Sequence, residues 1–159
     1  MKLLIVLLFL SGCSFFIGGK EAPKTAKGSL YSISFELKNW TVKKDKRSDY
    51  VHENLNDGRI LLSNSFCDEY QEQPLEQLAN KTFKTVKNFK SKVSEYTTLQ
   101  NREAYRIEGN GLVDGVKVNL RLVNTRRDNC YFDFLGIVPE NTTETDGAFD
   151  LFLKSVDFK

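Results

Sequence analysis

Few residues in this chain have the chemistry for catalysis or metal binding, and their spacing is uninviting. His52 is the single histidine, set between Val51 and Glu53 with no serine or cysteine nucleophile motif beside it. A general base needs a reacting group and an orienting partner within hydrogen-bond reach, so His52 reads as an exposed or hydrogen-bonded strand residue. Asp68-Glu69 and the acids Glu140, Glu144 and Asp146 lack the regular oxygen spacing of a calcium loop, and fit helix capping and solubility. Neither Cys67 nor Cys130 has a nearby Cys or His at ligand spacing, so no metal site is expected. Gly109-Asn110-Gly111 lacks the Gly-Lys-Ser/Thr that completes a phosphate loop. No catalytic residue and no cofactor are assigned, and an enzyme is not expected.

The third cysteine has a different setting. Lys2 precedes the apolar run Leu3 to Leu10, and Ser11-Gly12-Cys13 follows. A charged start, a short apolar stretch and small residues at its end are the parts of a secretory signal. The run is too short to span a bilayer, which takes about 20 apolar residues. Leu10-Ser11-Gly12-Cys13 resembles the lipobox of bacterial lipoproteins. The resemblance implies removal of residues 1–12, lipidation (palmitate among the acyl chains) at Cys13, and anchoring that several acyl chains make effectively permanent. An ordinary cleaved signal with an incidental cysteine is the alternative. Ser14, where some inner-membrane lipoproteins carry Asp, tips the expectation towards the periplasmic face of the outer membrane. Residues 18–29 are polar and rich in Gly and Lys, which makes 13–29 a lipidated cysteine with a flexible tether.

If Cys13 is lipidated in an oxidising envelope, Cys67 and Cys130 remain to form a disulfide. Two separately buried thiols are the other reading. Asn80-Lys81-Thr82 and Asn141-Thr142-Thr143 match glycosylation acceptors, a modification uncommon in bacteria.

Residues 30–159 are enough for one domain that buries its own core. Removal of Lys2 lowers the formal charge from +2 to +1, which points to no nucleic-acid partner. The dense basic stretch Lys43-Lys44-Asp45-Lys46-Arg47 reads as a solvated loop or strand edge.

Hydrophobic spacing then places the elements. Tyr31, Ile33, Phe35 and Leu37 alternate with polar residues, as in a half-buried strand, with Trp40 and Val42 continuing the pattern. Asp57-Gly58 is a turn signal ahead of Ile60-Leu61-Leu62. Pro74 opens an amphipathic helix of about 16 residues carrying Leu75, Leu78, Ala79, Phe83, Val86 and Lys90 on one face. Tyr105 and Ile107, then Val116 to Leu122, form a hairpin, with Gly109-Asn110-Gly111 and Asp114-Gly115 suggesting a longer loop or bulge between them. Tyr131 to Val138, apolar on both faces apart from Asp133, is a central strand. Phe149, Phe152, Leu153 and Val156 mark a closing helix, with Thr145 or Asp146 available as its cap. The chain is expected to end in that helix.

These elements make an α+β domain with an antiparallel sheet covered by helices. Trp40, Ser65-Phe66-Cys67 before a helix, the glycine-rich hairpin ending Val113-Asp114-Gly115, and Phe149-Asp150-Leu151-Phe152-Leu153-Lys154-Ser155-Val156 together resemble the Mog1/PsbP-like fold, including bacterial lipoproteins of the DcrB type. The resemblance covers nearly all of residues 30–159 and implies a helix-sheet-helix sandwich. It implies no single activity, since such proteins include a nuclear-transport regulator and a photosystem subunit. The expected function is that of a membrane-anchored, non-catalytic envelope lipoprotein acting through protein contact. The alternative is a periplasmic carrier of a small apolar ligand, suggested by twelve Phe and six Tyr.

Overall fold

The computed structural model describes residues 30–67, 73–143 and 147–159. In chain order the elements are β1 (Tyr31–Ile33), β2 (Trp40–Lys43), β3 (Tyr50–Asn54), β4 (Ile60–Cys67), α1 (Leu75–Phe83), β5 (Lys87–Leu99), β6 (Arg102–Val113), β7 (Val116–Arg127), β8 (Cys130–Pro139), α2 (Ala148–Lys154) and β9 (Val156–Phe158). Seven strands form one antiparallel sheet in the order β2-β3-β4-β8-β7-β6-β5, and β1 pairs with β9 in a separate ribbon. The expected α+β sandwich is present. One layer of core lies under α1, where Leu78, Ala79 and Phe83 meet Ile107, Leu120, Leu122 and Leu135. The other lies under α2 and the β1–β9 ribbon, where Tyr31, Phe149 and Phe152 meet Leu61, Phe132 and Phe134.

The apolar run from Tyr131 is the fourth strand of the seven and buried along almost its whole length. Its central place follows from having one core layer on each face, which leaves no position for a solvated side chain.

Four expectations are corrected. The alternation from Tyr31 to Val42 is not one strand. It breaks after Ile33, and the chain turns through Asn39 at φ 69° before β2 begins. The two halves serve different partners, β1 on β9 and β2 on β3. Second, α1 is nine residues long and ends at Phe83. Val86, just ahead of β5, and Phe89, within its irregular start, still reach the same core, with Asn88 between them at φ 55°, outside the helical region.

Third, Gly109-Asn110-Gly111 lies inside β6, and the hairpin turns tightly at Asp114-Gly115 with both residues at positive φ, the backbone of a two-residue turn matched to strand twist. The two glycines are required by close approach. A Cβ on Gly109 would lie 2.3 Å from the Lys90 carbonyl oxygen and 2.7 Å from the Phe89 ring, and one on Gly111 would lie 2.5 Å from Val86. Their absence of side chains lets the irregular start of β5 cross over β6 and stacks Phe89 on Phe83 at 4.4 Å. Fourth, the described chain ends in a strand. After α2, Val156–Phe158 pairs with β1, so Val156 joins the core from a strand. The residue ahead of α2 is Gly147 at φ 58°; Thr145 and Asp146 lie outside the described residues.

Candidate binding groove at the edge of the sheet

Cys67 and Cys130 face each other across the β4–β8 register and are joined by a disulfide. Cys13, Asp68, Glu69, Glu144 and Asp146 lie outside the described residues. Glu140 is at the surface, 3.6 Å from the Lys117 ammonium. In the basic stretch, Lys43 pairs with Glu53 at 3.1 Å and Arg47 with Asp45 at 3.6 Å. Among the described residues, no group of three His, Cys, Asp or Glu side chains is arranged to hold a metal ion.

His52 is 3 % exposed, which corrects the reading of an exposed or hydrogen-bonded residue. β3 turns it towards the α2 face of the sheet, where its ring meets the rings of Phe35 at 5.2 Å and Phe152 at 5.7 Å. Its Nδ1 has no hydrogen-bond partner among the described residues. Burial among aromatic rings lowers its pKa, because an imidazolium loses hydration there without gaining a counter-charge. The imidazole behaves as a flat, neutral packing unit.

Around it is an open groove of about 350 Å3, lined by Phe35, Leu37, Trp40, Val42 and His52, with Glu36 and Lys38 on the segment that forms one wall. Three positions follow from strand alternation. Trp40 and Val42 are two residues apart on β2, and Val42 stands opposite His52 on β3, so all three project to one face. Phe35 reaches the same place because the segment after β1 leaves the ribbon and crosses the sheet edge, where its ring packs on Trp40 at 5.4 Å. Trp40 is held from behind by Arg59, whose guanidinium lies 5.3 Å from the indole ring and whose Nε donates to Asp57 at 2.9 Å. Val42 is left 66 % exposed. The groove thus combines an apolar floor, an open side and an edge strand whose outer backbone groups have no sheet partner among the described residues.

Two buried polar networks belong to the scaffold. The Tyr31 hydroxyl donates to Asp49 at 2.7 Å, and Ser65 donates to the same carboxylate oxygen at 2.5 Å; this ties β1 to the sheet. On the α1 face, Asn124 donates to the Tyr131 hydroxyl at 2.7 Å and to the Leu75 carbonyl at 3.0 Å. Tyr131 and Thr82 in turn donate to Asp133, which links the start of α1 to the two central strands.

Sequence reasoning missed the groove because the alternation of Tyr31 to Leu37 followed directly by Trp40 and Val42 reads as one strand and hides that two segments meet there. A signal was available in Lys38-Asn39, a polar pair that interrupts the alternation just before Trp40.

Comparison with known proteins returns likeness in shape alone. No family model and no curated protein matches the sequence. Among solved structures, the chain is similar to cyanobacterial PsbP (CyanoP) from Synechocystis sp. PCC 6803, with a TM-score of 0.60 at 14% identity over 94% of this chain and 99% of that one. It is similar to LpqN of Mycobacterium tuberculosis, a protein involved in cell envelope biogenesis, with a TM-score of 0.61 at 11% identity over 81% and 83% of the two chains. A Bacteroides thetaiotaomicron VPI-5482 structure has a TM-score of 0.61 at 12% identity over 87% of this chain and 49% of that one, so the chain spans about half the length of the Bacteroides protein. The fold is therefore the Mog1/PsbP-like one that the sequence pattern suggested. Fold at such identities carries no activity with it.

Proposed function

We propose that this chain is a lipid-anchored, non-catalytic protein of the bacterial cell envelope, held by Cys13 on the periplasmic face of the outer membrane, that acts by binding another protein at the β2 edge. The observation that carries the proposal is the groove. An exposed Val42 beside Phe35, Leu37 and Trp40, on an edge strand that has no second sheet partner among the described residues, suits an extended partner segment that adds to the edge and places an apolar side chain in the depression. The likeness to LpqN, itself an envelope biogenesis protein, supports the address. His52 supports the non-catalytic reading, since its ring packs on Phe35 and Phe152 and its Nδ1 has no hydrogen-bond partner among the described residues.

A carrier of a small apolar ligand is the second reading, favoured by the apolar floor. At about 350 Å3 the groove is near the lower end of ligand-site volumes, and such sites bury most of their ligand. An open depression suits one side chain of a partner better.

A photo-reactive residue at Val42, introduced in cells and activated in native membranes, tests the proposal. The expected result is a discrete protein adduct that Trp40→Ala abolishes, that is absent with the label at exposed Asn129, and that persists in His52→Leu. Labelling confined to small lipophilic molecules establishes the carrier in its place. Loss of function in a folded, anchored His52→Leu protein that still forms the adduct overturns the non-catalytic reading.

A further inference from the structure

From residue 77 to residue 94 there is no acid, while Lys81, Lys84, Lys87, Lys90 and Lys92 fall within twelve positions. These five charges exceed the net +2 of the entire chain, so the rest of the molecule is net acidic. The fold gathers them at one border. Lys81 and Lys84 are at the end of α1, and Lys87, Lys90 and Lys92 are on β5, the strand at the other edge of the sheet from the groove. Lys81 donates to Gln73. The other four are exposed and make no ion pair among the described residues. Their cross-strand neighbours add no acid, for Lys87 stands opposite Leu112 and Lys90 opposite Asn110. Glu108 on the adjoining strand, opposite Val93, is engaged by Arg106 at 2.5 Å and Arg121 at 2.9 Å. Further along β5, Tyr96 is 53 % exposed.

We propose that this border is a membrane-docking surface for anionic phospholipid, on which the domain lies along β5. The reading rests on the lipid anchor at Cys13. Charge complementarity identifies the occupant: unpaired lysines near a surface of anionic headgroups are attracted over about a Debye length, and an exposed tyrosine suits the headgroup layer, apolar in its ring and polar at its tip. Edge lysines also discourage strand pairing, but in that role their charge stays unmet. The geometry allows the contact. β1 enters near the β5–β6 turn, since Arg102 lies over the ring of Phe158, the partner of Tyr31. The lysines are towards the other end of β5, roughly 20–40 Å away at about 3.3 Å per residue. Residues 13–29 span at most about 60 Å when extended, enough for the domain to recline onto its edge. In this pose the β2 groove, at the far edge of the same sheet, faces away from the bilayer.

The test uses the full chain with Cys13→Ser, so that no acyl group contributes, and measures co-flotation with vesicles of phosphatidylcholine alone or mixed with phosphatidylglycerol. Preferential binding to the anionic vesicles is expected, weakening as salt is raised. The quadruple change Lys84→Gln, Lys87→Gln, Lys90→Gln and Lys92→Gln should weaken it by at least about tenfold, whereas Lys44→Gln with Lys46→Gln leaves it largely intact. Equal binding by wild type and quadruple variant overturns the proposal. So does equal loss in the Lys44/Lys46 pair, which would trace binding to net charge. Binding to polyglutamate without binding to vesicles assigns the strip to an acidic polymer and also overturns it. All comparisons share residues 1–12, so their contribution cancels. Acylation of Cys13, read by mass on the wild-type protein, fails or succeeds separately.

Discussion

Asp133 is an acid placed where the sheet has no solvent, and its environment decides its proton. Burial raises its pKa to about 7, against the opposing hydrogen bonds from Tyr131 and Thr82, and one carboxyl oxygen has no partner among the described residues. An unfolded Asp releases its proton near pH 4. Between about pH 4 and pH 7 the folded state therefore binds more protons than the unfolded one, and stability falls as pH rises through that window. Asp133→Asn keeps the shape and removes the titration. Denaturation curves should show the variant gaining on wild type as pH rises from 4 to 7.5, by on the order of 1–3 kcal/mol, with the gap closing or reversing at pH 4. Parallel pH profiles for the two proteins would place the dependence on another group. The same burial acts in the opposite sense on His52, whose pKa it lowers, because desolvation disfavours the charged form of either group.

At the scale of elements, the end of the β4–β8 pair is held by the Cys67–Cys130 crosslink, which joins residues 63 apart in sequence. Closing so long a segment removes much of the freedom of the unfolded chain, and its loss is expected to cost about 2–4 kcal/mol. Thiol alkylation of the unreduced protein should leave both cysteines unlabelled, and a Cys67→Ala, Cys130→Ala variant should unfold at correspondingly lower denaturant. Quantitative labelling of both thiols without reductant would contradict the crosslink. The interior of the sheet was legible from the sequence because β8 and β7 carry apolar residues at periods that admit one placement. The β5 strand was not. Its residues alternate poorly, with Phe89, Val93 and Thr97 four apart, and it exists as a strand because β6, already fixed by its pairing with β7, offers it ten paired positions.

For the whole molecule, the decisive prediction concerns the anchor. Cys13→Ala should lose acyl mass and leave the detergent phase in phase partitioning, while its far-ultraviolet circular dichroism stays that of the wild type. Retention in the detergent phase to the same degree would remove the lipoprotein reading and with it the orientation proposed for β5.

What the sequence determined by itself is the part that depends on local period and composition: the signal-like start, the central strand, the apolar face of α1, the α+β class and the absence of a recognisable catalytic motif. The tertiary structure decided everything that depends on which segments meet. It divided Tyr31 to Val42 between two sheets, because hydrogen-bond partners and not alternation decide where a strand belongs. It turned a glycine-rich stretch into the middle of β6, because only a backbone without Cβ admits Phe89 and the Lys90 carbonyl. It enclosed His52 between two phenyl rings from distant segments, and it left Val42 at an open edge. Local pattern reports which face of a segment is apolar; only packing decides whether that face is covered.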